Sequence, residues 1–174
     1  MAVSAATILS YASSEIGLPY QWGAEKPGVA FDCSGLTQWS FGQAGVRLPR
    51  TAHEQQSYVT AVSNPQPGDL VFYGSPAHHV AIYAGGGQMI EAPHTGADVR
   101  LVPVRDGATY GRAPGVVSSG SVTAAFNNVV GTTYSVGQDW AAKAGSFVTE
   151  GMFVLLGVGI IGGGIFYGLK GNAA

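Results

Sequence analysis

Apolar and polar positions change their spacing along this chain. In the opening MAVSAATILSYASSEIG, Val3, Ile8, Ala12 and Ile16 recur near the helical period, with polar residues between them. That pattern predicts an amphipathic helix, stopped by Gly17 and Pro19. The stretch SGLTQWSFGQAG, directly after Cys33, predicts a second helix ended by Gly45. Beyond residue 67 the apolar runs are short. GDLVFYG (68–74), HVAIYA (79–84), QMIEA (88–92) and VRLVPV (99–104) are β-branched or aromatic and bounded by turn residues, so they read as strands. Helices first and strands later predict an α+β fold with an antiparallel sheet. No internal repeat is visible.

Three zones follow from the same pattern. Residues 1–115 form the expected globular domain. Residues 116–149 are small and polar, expected as a linker or an amphipathic segment. Residues 151–169 carry no charge and are bracketed by Glu150 and Lys170. At about 1.5 Å per residue such a run spans about 29 Å as a helix, close to a bilayer core of about 30 Å. A transmembrane helix over 150–170 is therefore expected. Gly159/Gly163 and Gly164/Gly168 have the spacing that lets such helices associate closely. An apolar helix packed inside a larger assembly is the competing reading.

Composition narrows the function classes. The net charge of −2 gives no basic field for nucleic acid. Charged residues are 10% of the chain, well under the roughly 25% of an average soluble domain, and the apolar tail accounts for part of this. The first residues lack the basic start of a secretory signal. A single cysteine excludes an internal disulfide. It is then either a small buried hydrophobe or a reactive thiol.

Position favours reactivity. Cys33 stands in Phe31-Asp32-Cys33-Ser34-Gly35, at the start of the expected helix, where the helix dipole favours a thiolate. Such a nucleophile needs a base and a group to orient that base. Of the four histidines, His53 falls in a polar stretch that reads as solvated loop, while His78 and His79 open a strand leading into a hairpin. A three-residue loop at 85–87 puts Ala84 opposite Gln88 and Ala81 opposite Glu91. His79, Ala81 and Glu91 then share a face, with His79 diagonal to Glu91 and His78 on the other side. One imidazole nitrogen is held by the carboxylate, and the other is free to take the Cys33 proton. A two-residue loop would reverse this parity. A surface His–Glu pair is the alternative reading. No Cys/His cluster has zinc-site spacing, so no metal or other cofactor is expected.

Several segments together resemble one family. YQWG (20–23), FDCSGLTQW (31–39), LPRTAHEQ (48–55), PGDLVFYG (67–74), HHVAIYAGGGQMIEAPHTG (78–96) and GRAPG (111–115) are similar to the NlpC-type cell-wall cysteine peptidases. The likeness covers roughly residues 5–115. It implies a papain-like α+β fold and a catalytic triad of Cys33 as nucleophile, His79 as base and Glu91 as third residue. Many members have His at that third position. His94 is a fallback, although Pro93 interrupts the strand before it. The likeness also implies substrate or oxyanion contacts by Tyr20, with Asp32 and Ser34 flanking the nucleophile. Core packing is the alternative for Tyr20 and Trp22. Two uses are open for Arg50: binding a substrate carboxylate, or capping local structure.

The implied reaction is hydrolysis of the D-γ-glutamyl–diamino-acid amide in peptidoglycan stem peptides through a thioester. The expected partners are those peptides and, through the tail, a membrane, a second copy or virion proteins. An apolar tail with no export signal suggests a phage enzyme that opens the wall locally. A host membrane-anchored wall peptidase, a non-catalytic wall-binding module and a related acyltransferase or amidase are the rivals.

Overall fold

A computed structural model describes residues 2–117. The remainder of the expected linker and the expected membrane helix at 150–170 lie outside the described residues. Among the described residues, no helix is long and apolar enough to cross a membrane.

The elements in chain order are β1 (Val3–Ser4), α1 (Ala5–Ser14), β2 (Glu25–Lys26), β3 (Ala30–Phe31), α2 (Cys33–Gln43) and α3 (Ala52–Tyr58), then β4 (Thr60–Val62) and β5 (Leu70–Gly74). They continue with β6 (Ala77–Gly85), β7 (Gln88–Glu91), β8 (Arg100–Pro103), β9 (Thr109–Arg112) and β10 (Val116–Val117). Six strands form one antiparallel sheet in the order β4-β9-β5-β6-β7-β8. All three helices pack against β6. This is the mixed α+β arrangement that the order of periodicities predicts.

The helices begin where a polar side chain can satisfy free backbone N–H groups. Ser4 is extended and its hydroxyl accepts from Ala6 N–H at 3.2 Å, so α1 starts at Ala5 and Val3 belongs to β1. The buried stripe of α1 is Ala5, Ile8, Leu9 and Ala12. Ile16 falls beyond the helix, unlike the sequence expectation. At α3, Thr51 and Glu54 cap each other reciprocally. The stretch holding His53 is therefore the first turn of a helix rather than a loop. Val116 and Val117, expected in a linker, form β10 and run parallel to β1.

Strand register sorts the sheet residues. Leu70 pairs with Ile82, Phe72 with Val80, and Ile82 with Ile90, all fully or nearly fully buried on one face. Val71, Ala81 and Met89 build a second cluster with Tyr73, Tyr83 and Tyr110. At the base of β5, the buried Asp69 accepts two 2.7 Å bonds from Arg112 of β9 and locks those strands together.

Candidate active site

The chain turns at Asp32, between β3 and α2. Its extended backbone (φ −93°, ψ 177°) aims the carboxylate back at the helix start, where Oδ1 accepts from Gly35 N–H at 2.6 Å. Cys33 is thereby the first residue of α2 and is partly accessible. Asp32 Oδ2 also accepts from Gly23 N–H at 2.9 Å, and Asp32 N–H donates to the Ala24 carbonyl at 2.9 Å. These bonds press the 21–24 loop onto the helix start. A Cβ at Gly35 would collide with the Ala24 carbonyl oxygen, which explains a glycine two residues after the cysteine.

Arg50 completes this corner. It donates to both Asp32 oxygens at 3.0 and 2.7 Å, to Ser34 Oγ at 2.9 Å, and reaches Glu25 at 3.2 Å. Asp32, Ser34 and Arg50, expected as substrate contacts, are thus one bonded unit beside the nucleophile, on the same groove. Of the two uses open for Arg50, the local one is occupied. Gln55 is also buried here, and its amide donates to the Ser34 and Pro49 carbonyls.

His79 and Glu91 meet as the hairpin parity requires, by a different loop. Gly85 pairs with Gln88 around a two-residue turn at Gly86-Gly87, which alone would reverse the faces. A bulge between Tyr83 and Gly85 restores the register, so Tyr83 faces Met89 and Ile82 faces Ile90. All three glycines have positive φ, the conformation such a turn and bulge demand. His79 Nε2 lies 2.8 Å from Glu91 Oε2. An ionised carboxylate only accepts, so Nε2 carries the proton and Nδ1 is the ring atom left for Cys33.

Electrostatics support that assignment. Burial alone would lower the His79 pKa, but hydrogen bonds to Cys33 and Glu91 and their negative charge outweigh it and raise the pKa to about 9. Glu91 is fully buried. Burial pushes its pKa up, yet bonds from His79, Arg105 and Arg100 hold it well below the usual carboxylate range. Arg100 and Arg105 were not among the sequence candidates. Arg100 stands directly across from Glu91 in the β7–β8 ladder, so the register of one more strand pair would have found it. Arg105 follows β8 in an irregular stretch, and no pattern marks it.

A groove of about 510 Å³ opens beside Cys33, lined by Tyr20, Trp22, Arg50, His53, Ala77 and His78 among others. Tyr20 is half-buried; burial, then the negative charge of Cys33 and Asp32, raises its pKa, so the phenol remains a donor at neutral pH. Trp22 is 84% exposed, which removes core packing as its role. His53 and His78 are exposed on the groove walls. His94 is exposed, with Nδ1 3.0 Å from the Thr95 carbonyl, while Glu91 is the carboxylate bonded to His79. Among the described residues, no group of three or more His, Cys, Asp or Glu could hold a metal ion.

The arrangement is a thiol at a helix start, an imidazole beside it and a buried carboxylate behind. The sequence profile of the NlpC/P60 family matches residues 17–117, which contain all three. The chain belongs to the NlpC/P60 family. It is 43% identical over 97 residues to the bifunctional muramidase/DL-endopeptidase CwlT of Bacillus subtilis (strain 168), covering 52% of this chain and 30% of CwlT. This chain thus spans less than a third of that relative. Among solved NlpC/P60 structures, the domain of the peptidoglycan hydrolase SagA superposes with a TM-score of 0.58 at 38% identity, covering 62% of this chain and 97% of that one. RipD of Mycobacterium tuberculosis, described as a non-catalytic NlpC/p60 protein adapted to peptidoglycan binding, superposes at 0.54 and 31%, covering 62% and 95%. The family therefore includes both peptidoglycan endopeptidases and a member without catalysis.

Proposed function

We propose that this protein is a peptidoglycan endopeptidase that hydrolyses the D-γ-glutamyl–diamino-acid amide of stem peptides with Cys33, His79 and Glu91. The observation that carries the proposal is the 2.8 Å bond that His79 Nε2–H donates to buried Glu91, which leaves Nδ1 for the thiol at the start of α2. With a His79 pKa of about 9, the imidazole holds a proton at neutral pH. The reactive form is a thiolate beside that imidazolium. Cys33 Sγ attacks the γ-carbonyl carbon, and the carbonyl oxygen takes up the negative charge. The Cys33 N–H, in the first helical turn where no i−4 carbonyl accepts it, and the Tyr20 hydroxyl are the proposed donors to that oxygen. As the C–N bond breaks, His79 Nδ1 gives its proton to the leaving amine. Water, deprotonated by Nδ1, then opens the thioester and returns Cys33 as thiolate.

The non-catalytic reading, which RipD makes concrete, does not account for a helix-start thiol acting on an imidazole that a buried carboxylate holds. Digestion of purified peptidoglycan with the full chain, followed by mass spectrometry of the fragments, tests the bond assignment. New D-glutamyl γ-carboxylates and new diamino-acid amines are expected. Fragments cut only between the lactyl group and the first alanine would replace this reading with an amidase.

A further inference from the structure

Glu91 has more partners than holding an imidazole requires. Besides His79 it accepts four bonds from guanidinium groups. Arg100 Nε and Nη2 reach Oε1 at 3.1 and 3.0 Å. Arg105 spans the carboxylate, with Nη1 to Oε1 and Nη2 to Oε2, both at 2.8 Å. The carboxylate is fully buried, whereas the Arg100 and Arg105 side chains are 44% and 47% exposed. The buried carboxylate is thus held by two guanidinium groups that themselves reach solvent. Arg105 is itself fixed: its N–H donates to Tyr73 Oη at 2.9 Å, and its guanidinium lies 4.7 Å over the Tyr73 ring. That ring in turn lies 5.9 Å from the His79 ring.

A carboxylate buried against His79 alone would be a poor fixed point. His79 changes charge during the reaction proposed above. Each time it became neutral, the carboxylate would be buried without a counter-charge, and burial would favour its protonation. A protonated carboxyl could donate to Nε2, moving the imidazole proton to Nδ1 and turning the wrong atom state towards sulfur. Two guanidinium groups that stay charged at every working pH remove this dependence.

We propose that Arg100 and Arg105 are positioning residues: they keep Glu91 ionised and immobile through both charge states of His79, so that Nε2 keeps its proton and Nδ1 keeps facing Cys33. This rests on the reading of Cys33 and His79 as a nucleophile pair. It adds that the carboxylate and its two arginines work as one unit.

The chain has one cysteine, so alkylation by iodoacetamide reports Cys33 alone and needs no cell-wall substrate. The quantity to measure in the full chain is the pH at which alkylation reaches half its plateau. His79, Tyr20 and Arg50 feel the charge of Cys33, Asp32 adjoins it, His53 and His78 share its groove, and all stay in place in every variant. His79, Arg100 and Arg105 face Glu91, and Tyr73 lies under Arg105. Arg105→Gln is expected to raise the half-plateau pH by about one unit, and Arg105→Lys to restore most of that shift. In a Glu91→Gln background, Arg105→Gln is expected to add no further shift. An unmoved half-plateau pH in Arg105→Gln and Arg100→Gln would overturn the proposal, as would an equal shift with and without Glu91. A variant that melts at lower temperature but keeps the wild-type alkylation profile likewise shows a merely structural role. If Arg105→Gln does not fold, the Arg100→Gln and Glu91→Gln pair decides by the same criteria. A failure to cleave peptidoglycan, combined with an arginine-dependent alkylation profile, rejects the endopeptidase reading and leaves this proposal standing.

Discussion

At the scale of residues, the chemistry depends on where ordinary groups are placed. Glu91→Gln keeps the size of the side chain but removes the charge that fixes the His79 tautomer. It is expected to lower kcat by roughly a hundredfold or more in a stem-peptide assay. His79 also links stability to pH. Its folded pKa of about 9 lies above the ordinary 6.5, so its stabilising share is complete below about pH 6.5 and lost as pH rises through about 9. The gap in Tm between wild type and His79→Gln should therefore shrink between pH 6.5 and 9 in thermal melts. A constant gap over that range would contradict the raised pKa. The placement of Cys33 at a helix start and of His79 beside Glu91 was legible from sequence because helix starts and strand alternation are local rules. The arginine clamp was not. Placing Arg100 needs the register across the 92–99 connection, whose turn at His94–Ala97 does not join the two strands directly, and Arg105 lies outside any periodic element.

At the scale of elements, caps and a bulge determine where the site forms. Asp32 is at once the N-cap of α2, the anchor of the 21–24 loop and the partner of Arg50. Asp32→Ala should destabilise the fold by about 2 kcal/mol or more in denaturant unfolding, since it loses a cap and leaves Arg50 without its main partner. Asp32→Asn, which can still cap, should cost less. The hairpin shows how a correct pairing can follow from an incorrect loop. The turn has two residues, and the bulge at Ala84–Gly85 returns the register to the one a three-residue loop would give. Deleting Gly85 should remove the bulge and leave Ala84 opposite Gln88 across the same two-residue turn, so Glu91 keeps its face and activity is retained. Loss of activity in a variant that still folds would show that the site needs the bulge itself. α3 was also within reach of the sequence, because Thr51-x-x-Glu54 is a capping signature. β9 was harder to see, being four residues with a glycine inside, and its pairing with β4 and β5 is entirely non-local.

At the scale of the whole molecule, residues 2–117 contain the sheet, the groove and every side chain assigned to catalysis. Removing residues 118–174 should leave kcat/KM on a soluble stem peptide within about twofold, because β10 already closes against β1. The apolar run 151–169 is proposed to act in localisation, through a bilayer. In liposome flotation the full chain should rise with the vesicles and the shortened chain should not. Co-flotation of both would place the membrane contact elsewhere. The central claim is that Cys33 is the nucleophile of a wall peptidase, and a single comparison tests it most directly. Wild type and Cys33→Ala are incubated with the same purified stem peptide, and the release of the diamino-acid amine is followed. Steady turnover by wild type and none above background by Cys33→Ala is the predicted result, with both proteins giving the same melting transition. Equal turnover by the two would contradict the account.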